Sequence, residues 1–231
     1  MLTITDLRYS YGAVAALNGV SLTAPEGEIT CIMGRNGVGK TTLMRTTMGT
    51  YRAASGSITL GTLDVTTLPA HRRAKSGLAL VPQGREIFPK LTVEENLRIG
   101  LEALPQRSSI VPDEIFELFP ILKQFLKRMG GDLSGGQQQQ LAIARALCGQ
   151  PKVLLLDEPT EGIQPNIIQQ IGLVLHKLAT ERNMAIVLVE QYLDFVKEFG
   201  TSFHIMNRGH VVASGPVGEL HGDVVSQHLS V

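Results

Sequence analysis

The sequence has no surplus of charge of either sign: 21 lysines and arginines balance 21 aspartates and glutamates, and charged residues fill only 18% of its 231 positions. A surface that grips nucleic acid through many phosphate contacts needs a basic excess, so nucleic acid is not an expected partner. The same balance argues against attachment to a membrane by charge alone. No apolar run approaches the roughly 20 residues that span a bilayer. The opening Met1-Leu2-Thr3-Ile4-Thr5-Asp6 lacks the basic and apolar regions of a signal peptide. A cytosolic location is therefore expected, with any membrane association made through a partner. Cysteine is scarce: Cys31 and Cys148 sit in apolar contexts, form no CxxC and read as small buried hydrophobes. The six histidines show no pairing at metal-ligand spacing, so no structural metal is expected. What the chain does have is 43% hydrophobic residues, enough to bury the core of one sizeable domain.

Alternation organises the opening, where Leu2 and Ile4 interleave with Thr3 and Thr5; the pattern resumes at Val20-Ser21-Leu22-Thr23, as in a sheet. Glu28-Ile29-Thr30-Cys31-Ile32-Met33 then runs apolar into a glycine-rich turn, the pattern of a buried parallel strand. A helix is expected over Lys40–Met48. Val153-Leu154-Leu155-Leu156 and Ala185-Ile186-Val187-Leu188-Val189 read as two further central strands. Between them Pro165 suits a first helical turn, and Ile167, Ile168, Ile171, Val174, Leu175 and Leu178 repeat at helical spacing. His176 falls on the polar side of that helix. Strand, helix, strand in this order implies a parallel sheet with crossover helices. From about Leu91 to Ala142 no strand is evident, and helical stretches over 93–104 and Asp113–Leu118 suggest a helical insertion in an α/β domain.

Gly34-Arg35-Asn36-Gly37-Val38-Gly39-Lys40-Thr41 satisfies the P-loop pattern G-x-x-x-x-G-K-[ST] in full. Glycines let successive backbone N–H groups turn inward on phosphate oxygens, and the helix that begins there adds its positive end. Lys40 supplies a cation for the β- and γ-phosphates, and Thr41 a hydroxyl for Mg²⁺. The loop alone leaves kinase, GTPase, ATPase motor and transport ATPase open. The strand ending at Asp157, followed at once by Glu158, narrows the choice. Asp157 is placed to hold Mg²⁺, and Glu158 to polarise the water that attacks the γ-phosphorus.

Leu133-Ser134-Gly135-Gly136-Gln137 precedes a helix through Leu141, Ile143, Ala144 and Leu147, giving a second helix start suited to an anion. This pentapeptide is identical to the LSGGQ signature of the ABC ATPases, and Asp157 follows Gln137 at the separation that family shows. The resemblance covers essentially the whole chain. It implies an α/β P-loop NTPase of the ABC ATPase fold, with a mostly parallel core sheet, an N-terminal antiparallel β region and a helical subdomain. Residues 1–231 would form one domain, with 1–90 and 143–231 as its catalytic core and 91–142 as the helical signature subdomain. It also implies ATP and Mg²⁺ as ligands, and a dimer in which the signature of one subunit caps ATP on the P-loop of the other. Tyr11 matches the aromatic that stacks on adenine, Thr42 extends the P-loop, and Gln83 matches the glutamine that contacts Mg²⁺ or water. Residues 84–89 would carry the face that docks on transmembrane permease subunits, at the cytoplasmic side of the cell membrane.

Three departures from the family pattern stand out. Gln140 replaces an arginine common after the signature. Glu161-Gly162-Ile163-Gln164 stands where many members have Ser-Ala-Leu-Asp, so Gln164 brings no carboxylate to that turn. Gln191 takes the place of the switch histidine and cannot become cationic near neutral pH. Val189-Glu190-Gln191 resembles one of the two ATPase subunits of importers for branched-chain amino acids and related solutes, served indirectly by a periplasmic or extracellular solute-binding protein. The turn from Pro159 to Asn166 and the ending His228-Leu229-Ser230-Val231 look most like the urea-type member, which makes urea the expected solute. Branched-chain amino acids or another small amide are the alternative, and a soluble ABC ATPase outside transport is a more distant one. The departures also imply an unequal dimer with a second, different ATPase subunit, with a homodimer as the alternative.

Overall fold

The computed structural model describes residues 1–104, 106 and 108–222. Two sheets carry the chain. The first is antiparallel and built from β1 (Leu2–Tyr11), β2 (Val14–Ala24), β4 (Ser55–Leu60) and β5 (Leu63–Asp64), in the order β2-β1-β4-β5. The Leu2/Ile4 alternation puts one face of β1 in the core and the other toward solvent. The second sheet combines β3 (Ile29–Met33), β6 (Leu78–Val81), β7 (Val153–Asp157), β8 (Ala185–Val189), β9 (Ser202–Asn207) and β10 (His210–Pro216). Its order is β10-β9-β3-β8-β7-β6, parallel throughout except for β10, the antiparallel edge. This is the expected α/β class, with a parallel core sheet and an antiparallel N-terminal sheet.

Strands β3, β7 and β8 are buried along their whole length, which is why they read as unbroken apolar runs. Their side chains feed two cores. Leu154, Leu156, Ile186 and Leu188 face one core with helices α6 (Gly135–Cys148), α7 (Pro165–Arg182) and α8 (Leu193–Phe199). Val153, Leu155, Ala185, Val187 and Val189 face the other, shared with α1 (Lys40–Met48) and the antiparallel sheet. Helix α7 starts at Pro165 as its sequence suggested, and buries Ile171, Leu175 and Leu178 with His176 exposed.

The carbonyl end of α1 is closed by a buried cation. Arg73, on α2 (Ala70–Lys75) and 2% exposed, donates to the carbonyls of Thr46 (3.0 Å), Thr47 (2.7 Å), Thr66 (2.7 Å) and Leu68 (2.8 Å). A guanidinium at a helix C-terminus answers both the orphan carbonyls and the negative end of the dipole. It pins the P-loop helix from behind.

The middle of the chain is helical, as expected: α3 (Val93–Gly100) with a 3-10 turn after it, α4 (Asp113–Leu118) and α5 (Pro120–Gln124). Thr92 caps α3 in a capping box with Glu95. Helix α6 runs unbroken across the boundary drawn at 142/143, so helical layer and core share one rod. Strands β4, β5, β6, β9 and β10 and helices α2, α5 and α8 were not foreseen. The first two strands are polar, β6 has four residues, and β9 and β10 mix His, Asn, Ser, Gly and Pro among their apolar positions, which hides a period of two. Among the described residues no helix is long and apolar enough to cross a membrane.

Candidate nucleotide site

Four parallel strands end at one place. After β3 comes the loop 34–39, after β6 comes Gln83, β7 ends in Asp157 with Glu158 next, and β8 is followed by Glu190 and Gln191. Ligand sites of open α/β sheets form at the carboxyl ends of strands for this reason. The loop depends on glycine at its two ends. Gly34 has φ 143° and an added Cβ would stand 2.5 Å from the Met206 carbonyl oxygen; Gly39 has φ 109° and would meet the Ala16 carbonyl oxygen at 2.5 Å. Gly37 turns the loop between them with φ 80°.

The loop borders a cleft of about 470 Å³, within the range of small-molecule sites, lined by Tyr11, Asn36, Gly37, Gly39, Lys40, Thr41, Thr42, Gln83 and Glu158 among others. Val38 packs into the core instead, and its carbonyl accepts from Gly209 N at 3.0 Å. The Lys40 ammonium, 5% exposed, donates to the carbonyls of Gly34 (2.7 Å) and Arg35 (3.0 Å). Burial pulls its pKa down, opposed by the charges of Glu158 and Asp157. Tyr11 sits at the cleft mouth, 47% exposed, with its hydroxyl 3.2 Å from Thr42 Oγ1 and its ring edge-on to Tyr9 and Tyr51.

Glu158 is the hub. Its φ of 50° is left-handed, unusual for a residue with a side chain, and its N–H donates to the Val189 carbonyl at 2.9 Å. Oε1 accepts from Gln191 Nε2 at 2.7 Å, and Oε2 accepts from Gln83 Nε2 at 3.1 Å. Each glutamine has a second acceptor: Gln83 donates to Glu161 Oε2 (3.0 Å) and Gln191 to Asn36 Oδ1 (2.9 Å). Neither of those pairings was foreseen. Asp157 lies deeper, 2% exposed, with Oδ1 buried and unpartnered among the described residues. Burial raises its pKa; a hydrogen bond from Thr41 works the other way. Around this hub the chain can hold a polyphosphate, a hard cation and a water in one place.

Ser134, Gly135, Gly136 and Gln137 do not line the cleft. Ser134 caps α6, accepting from Gln137 N (3.4 Å), while Gln137 Oε1 accepts from Ser134 N (3.0 Å). Gly135 lies against the Arg85 guanidinium and Gly136 against Ile167. The second helix start is thus formed but is not turned on this chain's own P-loop. Glu190 was passed over by sequence reasoning and proves to be a buried carboxylate with four donors. Its signal was visible: an acid directly after an all-apolar strand, as at Asp157.

Comparison with known proteins agrees with this geometry. Residues 17–161 match the model of a family described as ABC transporter. The high-affinity branched-chain amino acid transport ATP-binding protein BraG of Pseudomonas aeruginosa is 39% identical over 213 residues, covering 92% of this chain and 91% of that protein. The probable branched-chain amino acid transport ATP-binding protein LivF of Archaeoglobus fulgidus is 36% identical, covering 95% and 94%. A solved dimeric ATP-binding cassette in a post-hydrolysis state, bound to ADP and Pi, superposes with a TM-score of 0.82 at 26% identity over 94% of this chain and 99% of that one. On motif, fold and relatives together, the chain belongs to the ABC transporter family and is an ATP-hydrolysing subunit of it.

Proposed function

We propose that this chain powers an importer for branched-chain amino acids or a related small amide. The observation that carries the hydrolytic part is the Glu158 carboxylate, held at once by Gln83 and Gln191 and facing Lys40 across 3.7 Å. The solute part rests on the likeness to BraG and LivF, which favours that solute class over urea. Of the features that suggested urea, the ending 228–231 lies outside the described residues, and the turn 159–166 touches no solute site.

In this reading the N–H groups of 34–39 and the Lys40 ammonium receive the phosphates of ATP, and Tyr11 stacks on adenine. Thr41 and Asp157 fit Mg²⁺: a hard cation takes oxygen ligands, and Asp157 Oδ1 is a buried oxygen in want of one. Held by these two residues, Mg²⁺ would supply positive charge to offset the negative charge that develops on the phosphates. Gln83, whose Nε2 is taken up by Glu158 and Glu161, would offer its amide oxygen to that ion or to its water. Glu158 accepts the proton of the attacking water, and Gln191 holds that carboxylate in place through its Nε2. Ser134, Gly135, Gly136 and Gln137 cap the ATP of a partner subunit, which supplies the same group in return. Gln164 and Gln191 favour a second, different ATPase subunit as that partner. Residues 84–89, with Phe88 45% exposed, offer the face for the permease, in a reading that has the chain peripheral on the cytoplasmic side of the membrane.

The test is uptake of labelled leucine, valine and urea by cells carrying the wild-type chain or Lys40→Ala. Loss of branched-chain amino-acid uptake alone is expected. Loss of urea uptake alone restores the urea reading, and unchanged uptake of all three overturns the importer.

A further inference from the structure

Two carboxylates among the described residues are almost fully buried, Asp157 and Glu190, each 2% exposed. Asp157 has a role in the reading above; Glu190 has none. Yet its carboxylate is fully engaged, and the division of labour between its oxygens is informative. Oε1 accepts from Thr160 N (3.1 Å) and Thr160 Oγ1 (2.7 Å), in the turn after Glu158. Oε2 accepts from the backbone N–H groups of Gln191 (3.0 Å) and Tyr192 (3.3 Å). One side chain thus ties two loops, one oxygen to each.

We propose that Glu190 is a positioning residue for ATP hydrolysis: anchored on Thr160, it fixes the backbone of Gln191 so that the Gln191 amide stays set against Glu158. The proposal rests on the reading of Glu158 as the group that takes the proton of water. The geometry needs such a brace. Gln191 spends both hydrogens of Nε2, one on Asn36 Oδ1 (2.9 Å) and one on Glu158 Oε1 (2.7 Å). Its side chain has several rotatable bonds, and a fixed backbone helps make that double engagement reproducible from one turnover to the next. A misplacement of about 1 Å at a reacting group can cost roughly a hundredfold in rate.

Residue chemistry explains why a carboxylate is used. Four donors converge on two oxygens, and an ionised carboxylate is acceptor-only, with room for all of them. Burying that charge is expensive, and burial does hold the Glu190 pKa above the ordinary carboxylate range. A glutamine would keep one acceptor and press its NH₂ against two donors of one loop or the other. The brace would then hold on one side only.

The experiment is a double-variant cycle on the purified full chain with its partner ATPase subunit present throughout, reading kcat and KM for Mg²⁺-dependent ATP hydrolysis, ATP affinity by titration, and Tm. Glu190→Gln, Gln191→Ala and the two combined are compared with the wild type. Glu190→Gln is expected to lower kcat by roughly tenfold or more while ATP affinity stays within about threefold. The combined variant is expected to be no slower than Gln191→Ala, within about twofold, because Glu190 acts through Gln191. Multiplied losses in the combined variant, or an unchanged kcat in Glu190→Gln, overturn the proposal in an active chain. Should Glu190→Gln not fold, Glu190→Asp carries the same comparison, since it keeps the charge but is one methylene too short to reach both loops. A wild type that binds ATP without hydrolysing it overturns the functional reading, and this proposal with it.

Discussion

Lys40 Nζ stands 3.7 Å from Glu158 Oε1, with the two side chains 5% and 12% exposed. The pair closes a ring of donors around one carboxylate, since Gln83 and Gln191 hold its two oxygens from either side. Removing the charge while keeping the shape therefore separates binding from hydrolysis. Glu158→Gln is expected to lower kcat by about 10² to 10⁴, the usual range for a general base, with ATP binding retained. Size-exclusion chromatography with ATP then checks for a trapped dimer, with the partner subunit added. A chain that stays monomeric even then, or that hydrolyses at near wild-type rate, sinks the assignment.

Asp157→Asn should divide stability from activity. Burial raises the Asp157 pKa, so the folded chain holds a proton that the unfolded chain has already lost in the window above the ordinary aspartate value. Stability accordingly falls as pH rises through that window, and near neutrality the ionised carboxylate is a net liability. Without Mg²⁺, the substitution should raise Tm, because it removes the buried charge. Mg²⁺-dependent hydrolysis should be lost. A Tm that falls in metal-free buffer at pH 7 would show that the carboxylate is compensated internally.

Gly39→Ala tests the loop itself. An alanine there must keep a left-handed backbone and place its Cβ 2.5 Å from the Ala16 carbonyl oxygen, which is main chain and cannot swing away. The strain alone is about 1–3 kcal/mol, before the clash. Loss of ATP binding with a lowered denaturant midpoint is expected; a variant with normal affinity and midpoint contradicts the geometry.

Tyr11 offers a graded test. Tyr11→Phe removes only the hydroxyl contact with Thr42 and should leave ATP affinity nearly unchanged. Tyr11→Ala removes the ring and should weaken ATP binding by about 0.5–1.5 kcal/mol, or roughly twofold to tenfold. Equal losses in both variants would place the importance in the hydroxyl and refute stacking.

The parts of the site that were legible in the sequence are those in which a local motif meets a local strand. Lys40, Thr41, Asp157 and Glu158 follow directly from buried runs whose apolar composition both marks the strand and fixes where it ends. The parts that were not legible depend on four strand ends meeting in space. Gln83 and Gln191 lie 108 positions apart, and no spacing rule brings both to Glu158. Nothing in Ala70-His71-Arg72-Arg73 marks Arg73 as buried, yet it is sealed against four carbonyls from two other segments. The same limit hid the pairing of Glu190, whose partner Thr160 comes from the neighbouring strand's exit. Strands β9 and β10 escaped because an edge hairpin needs only one well-buried face, and its polar residues break the pattern.

Helix α6 has Ser134 at one end, in the helical layer, and Leu147 and Cys148 packed into the core at the other. Its 14 residues make a stiff rod about 20 Å long, buried from Gln139 to Ala144 and again at Leu147 and Cys148. A lever of that length multiplies angle into travel: a tilt of about 10° carries the Ser134 tip through roughly 4 Å. That is more than the reach of a hydrogen bond. A modest turn of the helical layer, driven from whatever it rests on, is enough to engage or release whatever Ser134 grips.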